Sequence, residues 1–266
     1  MPSVDAGGTD LYYERGGSGD PMLLIQGMAA THLAWGRPFL DLLERDFECI
    51  FYDHRGMGNS GRAEIPFTIV DLAEDALALL DALELETVHV VGISMGGMVA
   101  QELALAHPER VRTLTIGASY CGGADATLMD PQDLGLLGEA WKSGDPVQVY
   151  RVMWELNLSP AFRADDSNFV PFREMAESLP APAPVIYEQM RACSRHDTSE
   201  RLGDLKMPTM VIHGTADRLL KAPNGEQIAT LAGVEPQILE DIGHLFWWEQ
   251  PERSAELIRQ HAMATA

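Results

Sequence analysis

Short apolar runs alternate with stretches of helical period along most of this chain. Runs of strand character fall at 22–26, 49–53, 87–91, 113–117, 209–213 and 237–239, preceded by an N-terminal hairpin between about 3 and 15. Helical patterns lie between them. In the segment 68–83, Thr68 and Asp71 suit a capping box, and Val70, Ala73, Leu77 and Leu80 fall on one face. Strands that alternate with helices predict an α/β fold, a mostly parallel sheet covered by helices on both sides. The rhythm breaks between about 119 and 205. There the pattern predicts several helices separated by Pro131, Pro146, Pro160, Pro171 and the 180–184 proline cluster, with no strand. This reads as a helical insertion (119–205) between two parts of a core, 1–118 and 206–266.

The segment Gly92-Ile93-Ser94-Met95-Gly96 follows the apolar strand at 87–91 and opens into a helix that runs to about His107-Pro108. That is the setting of a nucleophile elbow, a sharp turn that lifts a serine hydroxyl clear of a sheet. Gly92, Gly96 and Gly97 supply the missing bulk such a turn needs, and the positive end of the helix favours negative charge nearby. The plain alternative is a glycine-rich turn with a structural serine. A nucleophilic serine needs a base and the base an orienting acid. His244 follows the last predicted strand and lies in a loop; His261, in the terminal segment, is expected to be exposed. For the acid, Asp217 follows the strand at 209–213, with Asp241 and Asp125 as rivals. Backbone N–H donors for an oxyanion would come from Met95, next to the serine, and from Met28, after Gln26-Gly27.

One motif is a decoy. Gly56-Met57-Gly58-Asn59-Ser60-Gly61 matches the dinucleotide fingerprint, yet no helix opens at its end and a helix lies where the acid at a strand end should be. A structural turn is expected and no cofactor is implied.

Composition narrows the class further. With 46% hydrophobic residues over 266 positions, the chain can bury a sizeable core. A net charge of −21 would repel nucleic acid and anionic membrane surfaces, so a small-molecule substrate fits better. Cys49, Cys121 and Cys193 are scattered, pointing to small buried residues and to neither disulfides nor a metal cluster. The first residues lack a basic region followed by an apolar run, and the expectation is a soluble cytoplasmic protein.

Taken together, the elbow at Ser94, the turn Asp53-His54-Arg55-Gly56-Met57-Gly58-Asn59-Ser60, His213-Gly214 leading to Asp217, and Gly243-His244 resemble the α/β-hydrolase superfamily over nearly the whole chain. The resemblance implies Ser94, Asp217 and His244 as a catalytic triad beneath a helical cap. Gln26-Gly27 departs from the His-Gly that many members carry in the oxyanion loop. A serine at position 94 counts against haloalkane dehalogenases and epoxide hydrolases, which use aspartate there. The chain looks most like 3-oxoadipate enol-lactonases and small carboxylesterases. Trp154, Met153, Tyr187 and Met190 are the cap residues expected to line an apolar pocket, and Arg191 or Arg195 could hold a substrate carboxylate. The expected activity is cofactor-independent hydrolysis of small carboxylic esters. Enol-lactonase, cofactor-free perhydrolase and slow-turnover small-molecule receptor are the alternatives.

Overall fold

A computed structural model describes residues 2–179 and 181–264 of the chain. Pro180 of the proline cluster lies outside the described residues, as do position 1 and positions 265–266. Eight strands form one sheet: β1 (Ser3–Ala6), β2 (Thr9–Gly17), β3 (Asp20–Ile25), β4 (Phe47–Tyr52), β5 (Val88–Ile93), β6 (Val111–Gly117), β7 (Thr209–Gly214) and β8 (Gln237–Leu239). Their spatial order is β1-β2-β4-β3-β5-β6-β7-β8. β1 and β2 are antiparallel, β2 pairs antiparallel with β4, and every later pairing is parallel. All six residues of β5 are buried, as a central parallel strand covered on both faces requires.

Helices cover both faces. The core helices are α1 (Arg37–Leu43), α2 (Ile69–Ala82) and α3 (Met95–Ala106). Between β6 and β7 come α4 (Pro131–Ser143), α5 (Pro146–Asn157), α6 (Pro160–Arg163), α7 (Phe169–Ser178) and α8 (Ala183–Arg195), with no strand among the described residues. The chain ends with α9 (Ala222–Ala232), α10 (Phe246–Glu249) and α11 (Pro251–Met263). No helix among the described residues is long and apolar enough to cross a membrane.

Apolar side chains divide into one cluster under α2, α3 and α9, a second under α1, α10 and α11, and a third inside the cap built on Trp154, Leu158, Phe169 and Phe172. The third also reaches Leu245 and Trp248, next to His244, so the cap packs directly on the loop after β8.

Three sequence expectations are corrected. The capping box on α2 forms, with Thr68 Oγ1 accepting the Asp71 N–H at 3.2 Å and the Asp71 carboxylate accepting the Thr68 N–H at 2.7 Å. The buried face, however, is Ile69, Leu72, Ala73, Ala76, Leu79 and Leu80, while Val70 is exposed. Asp75 turns that face inward, because it is buried in a two-pronged pair with Arg55, both contacts at 2.6 Å. His261 is half-buried, not exposed: α11 packs back on the sheet and brings its ring Nε2 within 3.2 Å of the Leu114 carbonyl. Burial lowers its pKa below the usual imidazole value. Cys193 is only half-buried, whereas Cys49 and Cys121 are buried; all three are free thiols.

The elbow depends on close backbone approach. A Cβ on Gly96 would overlap the carbonyl oxygens of Ile25 and Gln26 at the end of β3, and one on Gly97 would lie 2.6 Å from Ser119 Cβ. Gly96→Ala should therefore destabilise the protein by about 2 kcal/mol. Gly135→Ala, in the open face of α4 with nothing near its would-be side chain, should stabilise by about 0.5–1 kcal/mol. Urea denaturation of the two variants checks the contrast in sign.

Candidate active site

Ser94 sits between the end of β5 and the first turn of α3 with φ 57° and ψ −122°, a conformation that side-chain-bearing residues rarely adopt. Its N–H donates to Gly117 O at 2.9 Å, and its carbonyl accepts the N–H of Gly97 and the hydroxyl of Ser119, both bonds fixing the turn. β3 and β5 are neighbours, yet the chain leaves β3 for β4 on the other side. Their C-terminal ends thus open a crevice at the point where the strand order reverses, the usual ligand site of such sheets. The loop after β3 lies in that crevice. A Cβ on Gly27 would stand 3.4 Å from Ser94 Oγ.

Met28 is held ready by its neighbours. Gly27 N–H donates to the Gln26 side-chain oxygen at 3.1 Å, Ala29 N–H to the Gln189 side-chain oxygen at 2.9 Å, and Ala30 N–H to Gly27 O at 3.4 Å. Among the described residues, Met28 N–H and Met95 N–H donate to no protein acceptor. Two donors are thus left over, one on the residue after Ser94 and one in the loop whose Gly27 lies against Ser94. His54 secures the same loop, its Nε2 lying 2.9 Å from Gln26 O. That nitrogen faces a carbonyl and so carries the proton; burial lowers the ring's pKa and keeps it neutral.

The turn at 53–60 is tied down from within by Asp53. The buried Asp53 carboxylate accepts the N–H of His32 at 2.7 Å and that of Asn59 at 2.9 Å, and meets His32 Nδ1 at 3.0 Å. A Cβ on Gly58 would overlap that carboxylate, which explains the glycine there.

His244 and Asp217 are brought together across the loops after β8 and β7. His244 Nδ1 lies 2.6 Å from Asp217 Oδ2, and both side chains are buried. Facing a carboxylate, Nδ1 holds the proton of the neutral ring and leaves Nε2 as an acceptor. The other carboxylate oxygen of Asp217 accepts the N–H groups of Leu219 and Leu220 at 2.9 and 3.0 Å. His213 Nε2 stands 3.2 Å from Oδ2. Burial pushes the Asp217 carboxyl up, but the charge of His244 and the bonds from His213 and His244 outweigh it and hold the pKa down to about 2. The rivals stand apart. Asp241 is exposed with φ 59°, its N–H tied to Thr215 Oγ1, and Asp125 is exposed.

The segment around His244 is clamped to the cap. Glu249, in α10, accepts Gly243 N–H at 2.9 Å and the Ser159 N–H and hydroxyl at 2.8 and 2.5 Å; Leu245 N–H donates to Asn157 O at 3.1 Å. Arg218, next to Asp217, reaches Asp133 at 3.1 Å and Glu155 at 3.0 Å on α4 and α5. None of Gln189, Glu249, Asn157 and Ser159 carries a signal in the sequence, since each acts across a separation no local pattern spans.

The cap residues named for the pocket are not brought to one place. Trp154 is buried inside the cap, its ring 5.3 Å from Phe172 and 5.8 Å from Phe162, and Met153 packs at the edge of that cluster. Tyr187 and Met190 are 54% and 37% exposed on the outer face of α8, where Tyr187 meets Trp141 edge-on. Toward the core, α8 presents Val185, Glu188, Gln189 and Ala192. Arg191 is exposed and engages Glu188 on its own helix at 3.1 Å, and Arg195 is exposed. Two surface cavities of about 390 and 250 Å³ lie beside Val234 and Pro236 and beside Arg151 and Asp166; none of the three residues Ser94, Asp217 and His244 lines either.

Residues 20–179 match the sequence profile of the alpha/beta hydrolase fold. The chain is similar to RutD of Azorhizobium caulinodans, a carbamate hydrolase candidate, with 33% identity over 83% of this chain and 82% of the relative. It is similar to 3-oxoadipate enol-lactonase 1 of Acinetobacter baylyi, with 27% identity over 89% of this chain and 86% of that one. Among solved structures, the enol-lactonase of Burkholderia xenovorans LB400 superposes with a TM-score of 0.83 over 98% of this chain and 100% of its own, at 21% identity, a likeness of fold.

With its pKa near 2 instead of the ordinary 3.8, Asp217 contributes stability that is full above about pH 4 and is lost as pH falls toward 2. The stability difference between the wild type and Asp217→Asn should thus be widest above about pH 4 and shrink below it. Urea denaturation at a series of pH values measures it.

Proposed function

The chain belongs to the alpha/beta hydrolase fold family, and we propose that it is a cofactor-independent serine hydrolase of small carboxylic esters that works through an acyl-enzyme. The observation that carries this reading is the 2.6 Å contact between His244 and the buried Asp217, set at the same end of the sheet as the strained Ser94. Ser94 Oγ attacks the ester carbonyl while His244 Nε2 takes its proton. Asp217, bonded to Nδ1, fixes the ring and stabilises the imidazolium that forms. The oxyanion is bound by the N–H groups of Met28 and Met95, and His244 returns the proton to the departing alcohol. Water, deprotonated by His244, then attacks the acyl-enzyme and frees Ser94 as the acid leaves.

The named relatives support this class. A carbamate and an enol-lactone both present what an ester presents, an acyl carbonyl bearing a heteroatom leaving group. A neutral ester is preferred over an anionic lactone because Arg191 already serves Glu188 and Arg195 lies exposed, while the −21 background repels an anion. Residues 119–205 act as the cap over a core of 1–118 and 206–266.

Ser94→Ala should lower kcat by at least about 10³-fold while the fold persists. A fluorophosphonate should label Ser94 alone, located by peptide mass spectrometry; turnover by folded Ser94→Ala would sink the assignment. Asp217→Asn should cost orders of magnitude in kcat and Asp241→Asn little, the reverse ranking moving the acid to Asp241. Across neutral p-nitrophenyl esters, kcat/KM should climb with acyl length until the site is full, by about 0.8 kcal/mol of binding per buried methylene. A strong preference for an anionic lactone, lost on Arg191→Ala or Arg195→Ala, would favour the enol-lactonase instead.

A further inference from the structure

The loop that carries Met28 contains a strained residue. Ala29 has φ 60°, left-handed backbone that a residue with a Cβ seldom occupies. Strain of this kind persists only when the surroundings hold it. The N–H of Ala29 has its partner not in the core but on the cap: the side-chain oxygen of Gln189, 160 positions away on α8. Gln189 is wholly buried, and its amide nitrogen has no partner. Because the oxygen accepts a backbone N–H, the orientation of the amide is fixed and the idle end is the nitrogen.

Of the four successive N–H groups from Gly27 to Ala30, three are spent within the protein and that of Met28 is left over. That last donor belongs to the Gly27–Met28 peptide and shares a short loop with two fixed residues. On the one side is Gly27, packed against Ser94; on the other is Ala29. α8 itself is seated on the core nearby, with Val185 against Gly56 and the Tyr120 hydroxyl donating to Cys193 O.

We propose that Gln189 is a positioning residue for the oxyanion loop: from the cap it holds Ala29 in its left-handed conformation and thereby aims Met28 N–H at the carbonyl under attack by Ser94. The oxyanion site is then complete only while α8 is docked. This rests on the assignment of Met28 as an oxyanion donor in the reading above.

The test uses Gln189→Met, which keeps the length of the side chain and removes the acceptor, together with Ala29→Gly, which adopts φ 60° without steric cost. Gln189→Met should lower kcat on p-nitrophenyl butyrate by about 10- to 100-fold, the scale of a donor displaced by a fraction of an ångström to one ångström. KM should stay within about twofold, since the ground-state ester does not use the oxyanion donor. Affinity for an alkylboronic acid, which forms a tetrahedral adduct on the serine, should fall by a comparable factor to kcat. In the Ala29→Gly background the same substitution should cost several-fold less, because glycine no longer needs to be held.

Equal cost in both backgrounds, an unchanged kcat in folded Gln189→Met, or a loss confined to KM would each overturn the proposal. Ser94→Ala separates this from the underlying reading. If Ser94→Ala still turns over ester, the hydrolase mechanism itself fails; if it is inert while Gln189→Met is unaffected, only the role of Gln189 is lost.

Discussion

At the first turn of α3 the backbone comes so near the end of β3 that a single added methyl on Gly96 would overlap two carbonyl oxygens, and the rest of the site depends on that approach. It forces the chain to leave β5 through a left-handed residue, Ser94, whose hydroxyl is thereby raised beyond the sheet. It also leaves the loop after β3 against the serine, with Gly27 packed on the Ser94 side chain. A looser crossing would relax Ser94 and carry the Met28 donor away at once. The two consequences cannot be tuned apart, because one contact produces both.

The second constraint comes from above the sheet. The cap touches the candidate site at separate points: Gln189 on the loop bearing Met28, Asn157 and, through Glu249, Ser159 on the loop bearing His244, and Asp133 and Glu155 on the arginine that follows Asp217. The aromatic cluster of Trp154, Phe169 and Phe172 supplies the apolar contact beneath these polar ones. Each hydrogen bond is modest alone, of order 1 kcal/mol, but together they register the helical layer against all three loops.

Much of this was legible in the sequence. Strand positions follow from runs of buried residues, and the predicted limits fall within two residues of β3 to β8. The turn at Ser94 and the candidates Asp217 and His244 are legible as placements, because each stands at a strand end where a short motif marks it. The face of α2 was misread because Asp75, a charged residue that a pattern puts outside, is buried through Arg55. The exposed placement of Tyr187 and Met190 was illegible for a related reason. An amphipathic cap helix shows which residues share a face, and here the face turned to the core carries Gln189 and Glu188 while large apolar side chains are left outside. Gln189 and Glu249 act over separations that only the folded chain brings together.

The clamp formed by Glu249, Ser159 and Asn157 bears on how such a protein can diversify. A helical layer inserted between β6 and β7 looks like a part that can be exchanged to admit a new substrate. Here an exchange would also remove the Asn157 carbonyl that holds Leu245 and the Ser159 groups that hold Glu249, itself the acceptor for Gly243, so a chimaera with a foreign layer loses supports of the loop bearing His244 unless Asn157 and Ser159, or their equivalents, travel with it.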